Sequence, residues 1–435
     1  MPDFRIAPKT TPFWWEEAPV RPLPDTPMPA RADVVIVGAG YAGLTAGLTL
    51  ARAGRSVVIL DKMNPGEGAS SRNGGITSGN IRPGFSDLKR RHGEARALAI
   101  EAEGKDARAF TYEFIRAEGI DCDLQMTGRF YGAIDRRKYD RMARDAETLS
   151  RRLQIDAFGV PEAEQRRYLG TDFYRGGSVR MDIGGLHPAK YHAGLLRVTQ
   201  AAGAVVRSGV AVMGVARDGA GFTVATSAGP VAARQVLVCT NGYTDGADPW
   251  LRRRIVPVRS RIIATDKLAP DLMARLMPRL MMCGEDMILG CYYRPSPDGT
   301  RILLGGRDAS QSGSAAWPTE MLRRHLIRLF PELADVGLSH SWFGNVAMHR
   351  DMLPRIFDHD GVTYATGFCG SGVVWAPWIG RRAALRMLAE DSPRSAFDFR
   401  PMKAVPLYAG KPYFMPTLIQ IYRLQDRMAL KRAER

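Results

Sequence analysis

The sequence predicts an α/β fold in which a parallel-sheet unit is interrupted by an α+β segment carrying a mixed sheet. Three observations predict it. A strand–helix–strand pattern occupies residues 33–60. A glycine-rich turn joins its first strand to its helix. Short strand-like runs then recur in groups along a chain of 435 residues, too long for one ordinary core.

Residues 1–31 are proline-rich and read as an extended arm, because proline fixes φ and donates no hydrogen bond. Trp14 and Trp15 are expected to pin this arm to the body, since two free tryptophans would be a sticky surface. Asp33–Val37 is a short apolar run bounded by glycine, hence a buried strand. Tyr41–Ala53 forms a helix with Gly54 as its stop, and Ser56–Leu60 is a second buried strand. Together they make a βαβ unit of about 30 residues.

A glycine- and serine-rich loop, Gly66–Gly84, comes next, and residues 87–155 read as mostly helical. Strands are expected at Arg129–Ile134 and Gly177–Met181, and an amphipathic helix at Lys190–Ala202. Ala204–Arg207, Ala211–Val215, Phe222–Thr226 and Val236–Thr240 read as one small sheet. Arg261–Ala264, Met287–Arg294 and Arg301–Gly306 form a second strand-rich group. Leu322–Phe330 is a helix ended by Pro331. Val362–Thr366 is a last buried strand, followed by glycines and a helix from Pro377 to Glu390. Leu418–Arg435 reads as a basic amphipathic helix.

Composition limits the function classes. Hydrophobic residues are 45 % and charged residues 24 %, so there is ample apolar surface to bury and disorder is excluded as the dominant state. The net charge of +16 is scattered, with small knots at Lys89–Arg91 and Arg252–Arg254, so no nucleic-acid partner is expected. Five cysteines without a CxxC pair suggest neither a metal site nor a disulfide framework, and a reducing cytoplasm is expected. No basic-then-apolar leader is legible, and no apolar run approaches the ~20 residues that span a bilayer.

Gly38-Ala39-Gly40-Tyr41-Ala42-Gly43 is a G-x-G-x-x-G fingerprint placed after a strand and opening a helix. Gly38 permits the tight turn, Gly40 admits a pyrophosphate to the backbone, and Gly43 lets the helix pack close to the sheet. The helix N-terminus offers free N–H groups and partial positive charge to phosphates. Asp61, followed by Lys62, ends the second strand where an acid accepts from ribose hydroxyls. The unit is therefore Rossmann-like.

The fingerprint alone does not separate a flavin from a nicotinamide dinucleotide. Two further segments favour FAD. In Gly68–Gly75, small residues let backbone approach a flat ring, and Ser70, Ser71 and Arg72 can meet phosphate oxygens beside Asn73, Gly74 and Gly75. Thr366–Val373 lies between a buried strand and a helix, placing a second positive helix end at the cofactor.

In these segments the sequence resembles the FAD-dependent amine and amino-acid oxidoreductases of the D-amino-acid oxidase superfamily. It is most like the branch of glycine/sarcosine oxidases and gamma-glutamylputrescine oxidoreductases. Further matching segments are Trp14–Pro19, Gly185–Tyr191, Thr240–Thr244, Tyr292–Arg294 and Asp351–Pro354. The resemblance implies that Val212 meets adenine through its backbone. It also implies that Asn241 belongs to the cofactor site, and that Gly367, Phe368, Gly370, Ser371, Gly372 and Val373 line the isoalloxazine. Two departures stand out. Ser371 replaces a histidine usual in the last motif, and His349 replaces a usual small hydroxyl residue. Branches that tether FAD use a histidine near Ser70–Arg72 or a cysteine near Gly344, which this chain lacks, so noncovalent FAD is expected.

The resemblance implies an FAD-binding domain built from residues 31–95, 185–260 and 345–395. It is interrupted by a mixed-sheet substrate domain of 96–184 and 261–344. An arm of 1–30 and a C-terminal extension of 396–435 flank them. The reaction expected is oxidation of a C–N bond by hydride transfer to flavin N5, the imine then being hydrolysed. Molecular oxygen or an electron-transfer partner would accept the electrons. Such chemistry needs a neutral amine and orientation more than a dedicated base. No catalytic residue is singled out. Tyr292 and Arg294 share a strand face and are candidates for the pocket, with Arg294 a carboxylate binder or an ordinary surface arginine. Trp342, His349 and Trp375 are weaker candidates, His349 because it can titrate near neutrality. His187, before Pro188, is expected to cap a helix. The alternatives are a same-fold flavoprotein oxidising a hydroxyacid, a non-catalytic flavin-containing assembly module, and an NAD enzyme.

Overall fold

The computed structural model describes residues 7–308, 315–389 and 394–433. The first six residues of the expected arm, Glu390 of the expected helix before the C-terminal extension, and Arg435 lie outside them. After a turn of 3-10 helix at Phe13–Trp15 come β1 (Arg31–Val37), α1 (Tyr41–Arg52) and β2 (Val57–Leu60). Next are α2 (Phe85–His92), α3 (Glu94–Ala117), β3 (Arg129–Gly132) and α4 (Arg136–Leu153). Strands β4 (Ala157–Val160) and β5 (Gly177–Arg180) lead to α5 (Pro188–Ala201). Strands β6 (Val205–Arg207), β7 (Val212–Asp218), β8 (Gly221–Thr226) and β9 (Val231–Val238) follow. Then come α6 (Pro249–Arg252), β10 (Val256–Thr265), α7 (Pro270–Leu276), β11 (Met282–Glu285), β12 (Tyr292–Pro295) and β13 (Ile302–Arg307). The last elements are α8 (Ala316–Leu329), β14 (Leu338–Met348), β15 (Arg355–His359), β16 (Val362–Thr366), α9 (Gly372–Met387) and α10 (Met415–Ala433).

The strands form two sheets. The first has the order β15-β16-β9-β1-β2-β6, with β8 on β9 and β7 on β8. Its β16, β9, β1, β2 and β6 run parallel. The strands at 205–238 are therefore not one small sheet. β6 and β9 join the parallel sheet on either side of the β1–β2 pair, and only β7 and β8 form a meander on its flank. β6 is carried to its place by α5, which precedes it directly in the chain. Helix α1 lies so close to this sheet that a Cβ on Gly47 would stand 2.5 Å from Ile59 Cδ1. α9 closes on α1 equally tightly, with Gly380 over the Ala42 carbonyl.

The second sheet has the order β14-β10-β13-β12-β11-β3-β5-β4, mostly antiparallel with β11 and β3 parallel. Alternation gives it two unlike faces. Phe130, Val179, Cys283, Tyr293, Leu304 and Ile263 point into a core with α7 and α8. The opposite face carries Trp342, Ile262, Gly305, Tyr292, Gly284, Tyr131 and Ser178 on neighbouring strands. It looks toward the first sheet.

Candidate functional site

Between the two sheets runs one cavity of about 1170 Å³. That exceeds the ~300–1,000 Å³ usual for a single ligand. One end lies at the β1–α1 turn. Gly38 has φ +107°, and a Cβ there would meet the Cys239 carbonyl at 3.1 Å. Gly40 is the N-cap of α1 in extended backbone, and its missing side chain leaves only Ser70 Oγ nearby, at 2.9 Å from a built Cβ. Ser70 Oγ accepts from Tyr41 N at 3.1 Å. Gly43 points away from the cavity, where a Cβ would lie 1.9 Å from the Gly38 carbonyl. Asp61 accepts from Ala39 N and Met63 N, both at 2.9 Å, and burial raises its pKa from the ordinary carboxylate value. It braces the turn and keeps further lone pairs toward the cavity.

The segment 69–75 is clamped from behind. Trp14 Nε1 donates to the Asn73 carbonyl, Trp342 Nε1 to the Arg72 carbonyl, and Arg294 Nη1 to those of Gly74, Gly75 and Leu186. None of these three side chains lines the cavity. A trans peptide points its N–H opposite to its C=O, so the Asn73 and Gly74 amides face the other way. Trp15 Nε1 holds Ser71 Oγ at 2.8 Å. Arg72 is tied to the Phe343 carbonyl at 3.0 Å and lies over the Trp15 ring, so phosphate contact is not its arrangement here. Lys62 pairs with Asp245.

At the other end, the β16–α9 turn closes the wall with Phe368, Gly370, Ser371, Gly372 and Val373. Gly367, Cys369 and Gly370 all have positive φ, and the N-terminus of α9 faces the cavity. Asn241 Oδ1 accepts from Gly367 N at 3.1 Å, tying the 240–244 loop to this turn. Val212 sits on the wall at the start of β7. Of the expected cofactor residues, Gly43, Ser71 and Gly367 support the wall rather than line it.

The expected pocket residues divide. Tyr292 lines the cavity, whereas Arg294, Trp342, His349 and Trp375 do not. Arg294 is neither a carboxylate binder nor a surface arginine. It is 1 % exposed, and backbone carbonyls surround its guanidinium. His349 Nε2 bonds the Leu353 carbonyl at 2.8 Å, and burial, reinforced by Arg355, pushes its pKa down to about 4, so it does not titrate near neutrality. Trp375 packs edge-on against Phe397. His187 Nδ1 accepts from Lys190 N and caps α5. The Cys369 thiol is pushed up to about 11 by burial and is no nucleophile.

Sequence reading missed Arg307. It ends β13 two residues beyond Gly305, which pairs with Tyr292. The same alternation that picked out Tyr292 would have found it had the strand been carried one residue past Gly306. Its guanidinium lies near Gly370, burial and the neighbouring Arg82 lower its pKa to about 9, and no described carboxylate pairs with it. One described group has metal-ligand geometry, Glu285, Cys291 and His325, with ligand atoms within 4.8 Å of one another. Its Glu285 carboxylate already receives Cys291 N–H, Tyr174 hydroxyl and His325.

A glycine-lined trough beside two helix N-termini fits an elongated dianionic dinucleotide. Comparison with known proteins agrees. Residues 33–386 match the model of the DAO family, described as FAD dependent oxidoreductase. A probable oxidoreductase OrdL of Rhizobium meliloti is 28 % identical over 427 residues, covering 95 % of this chain and 97 % of that one. The gamma-glutamylputrescine oxidoreductase of Escherichia coli is 28 % identical over 410 residues, 92 % and 93 % of the two chains. The solved glycine oxidase of Geobacillus kaustophilus shares the fold with a TM-score of 0.72 at 21 % identity, over 87 % of this chain and 99 % of that one. Among the described residues no helix is long and apolar enough to cross a membrane.

Proposed function

Because the chain belongs to the DAO family of FAD-dependent oxidoreductases, we propose that it oxidises a C–N bond of an amine or amino acid bearing a carboxylate, with Tyr292 and Arg307 positioning the substrate. The observation that carries this reading is the continuity of the cavity from the Gly38–Gly43 turn to Tyr292 and Arg307. Gly38, Gly40 and Asp61 would hold the adenylate half of noncovalent FAD, and the 69–75 and 368–373 segments its ring. When bound, FAD supplies the two-electron sink for hydride leaving the substrate carbon.

The chain's own residues do the rest. Arg307 donates to the substrate carboxylate in a buried setting where a charge-assisted bond is strong. Tyr292 stands on the neighbouring strand and packs against the substrate body. Arg307 and Arg82 together make a positive field, which disfavours an ammonium and so favours the neutral amine whose lone pair the oxidation needs. The sheet face and the β16–α9 turn exclude water from the reacting carbon.

The test is anaerobic mixing of the yellow holoprotein with a panel of amines, amino acids and hydroxyacids. Bleaching by carboxylate-bearing amines supports the reading, and bleaching by hydroxyacids alone overturns it. Admission of oxygen afterwards separates oxidase from dehydrogenase.

A further inference from the structure

The cavity does not end at Tyr292. Its wall continues along the second sheet to β3 and β5, reaching Tyr131, Arg129 and Ser178. Gly284 pairs with both Tyr292 and Tyr131, so one cross-strand row reads Tyr292, Gly284, Tyr131, Ser178. Residues of one such row share a face. The glycine leaves a floor with no side chain of its own between the two tyrosines, two strand spacings or about 10 Å apart, and Arg129 Nη2 lies over it.

This floor leads to three donors that lack acceptors. Arg129 lies one row along on β3, with its guanidinium folded over Gly284 and against the Tyr131 ring. Among the described residues it donates no hydrogen bond and pairs with no carboxylate. Its neighbour Arg180 differs, for Asp182 and Glu101 neutralise it. Tyr131 hydroxyl and Ser178 hydroxyl also have no partner among the described residues. A half-buried guanidinium without an anion is costly, and burial lowers its pKa accordingly.

We propose that Arg129, Tyr131 and Ser178 form a distal carboxylate subsite, so that the substrate carries a second carboxylate at the far end of an extended chain. One uncompensated positive charge with two hydroxyls matches one carboxylate. This inference rests on reading the cavity as the substrate site, with Arg307 taking the first carboxylate.

The test is titration calorimetry on the purified holoprotein with straight-chain dicarboxylates from glutarate to sebacate, each against the monocarboxylate of equal length. A matched dicarboxylate should bind about 10- to 150-fold tighter, the range for one hydrogen bond to a charged group. That ratio should collapse in Arg129→Gln and narrow in Tyr131→Phe, a milder change that keeps the ring. Retained flavin absorbance verifies that each variant is folded. Equal affinities at every chain length, or an undiminished ratio in Arg129→Gln, would overturn the proposal. Tighter binding of ω-phosphono acids than of dicarboxylates would overturn the assignment to a carboxylate. If dicarboxylates keep their advantage while no amine bleaches the flavin, the subsite stands and the amine reading fails. Bleaching by amines without any dicarboxylate advantage means the reverse.

Discussion

Gly40 separates cofactor binding from folding. It has φ −81° and ψ −175°, extended backbone that valine adopts freely. The nearest atom to a Cβ there is Ser70 Oγ at 2.9 Å, a hydroxyl that can rotate aside at the cost of the bond it accepts from Tyr41 N. Gly40→Val should therefore cost the fold only about 1–2 kcal/mol, the loss of a good N-cap residue and of one hydrogen bond. At about 2.1 cal/mol/K per residue, a chain of 435 residues loses roughly 1 °C of Tm per kcal/mol. Gly43→Ala is the contrast. Its Cβ would stand 1.9 Å from the Gly38 carbonyl, a backbone atom that cannot swing away. Overpacking of that kind costs ~1–3 kcal/mol or more. The valine isopropyl group would stand where pyrophosphate approaches, and each charge-assisted bond lost weakens FAD about 10- to 150-fold. The assay is the ratio of absorbance near ~450 nm to protein absorbance after gel filtration, alongside thermal melts of apoproteins. Gly40→Val apoprotein should melt within ~2 °C of wild type yet emerge colourless. Adding Ser70→Ala should not restore the flavin. A Gly40→Val protein that retains a full complement of FAD would refute the reasoning.

Other consequences follow from the same geometry. Arg294→Met leaves the Gly74, Gly75 and Leu186 carbonyls without their donor; at ~1–3 kcal/mol per buried orphan, melting should fall by several degrees and FAD should dissociate faster, and an unchanged melt would count against the clamp. Trp14→Ala removes a fully buried indole that holds the Asn73 carbonyl; a loss of ~3–5 kcal/mol is expected by urea titration. Burial holds His187, His192 and His349 near pKa 4, below their ordinary 6.5. The unfolded chain thus binds more protons between these values, so stability is complete above pH ~6.5 and falls as pH drops toward 4, by up to ~3 kcal/mol per histidine; urea midpoints at pH 7, 6 and 5 that coincide would contradict this. Arg307→Gln should raise KM for carboxylate-bearing amines at least about tenfold with an unchanged flavin spectrum; an unchanged KM would remove Arg307 from the substrate.

The dinucleotide unit was legible because local chemistry specifies it. A buried run, a glycine turn and an acid at a fixed distance are all contiguous in the sequence. The second sheet was less legible. Its β4, β11 and β14 were not anticipated, and β10 starts five residues before the expected strand. Met282–Glu285 is four buried residues without alternation, and Leu338–Met348 mixes polar residues with apolar ones because one face meets a cavity. Pairing such strands is decided by partners far along the chain, which no local pattern encodes. The shared face of Tyr292 and Arg294 was readable from a period of two. What Arg294 does there was not, because its acceptors are carbonyls of residues 74, 75 and 186.

The same limit governs the arginines as a class. One face of the second sheet presents Arg294, Arg129, Arg180 and Arg307, and sequence alternation treats them alike. Their surroundings make them different instruments. Carbonyls occupy Arg294, and carboxylates from Asp182 and Glu101 occupy Arg180. Arg307 and Arg129 have no described anion, and they flank Tyr292 on opposite sides along the cavity wall. A chain with +16 net charge can place arginine almost anywhere at its surface at little cost. Placing it beside a cavity without a counter-ion is costly. Two such positions on one wall are therefore better evidence for an anionic ligand than the whole excess of positive charge.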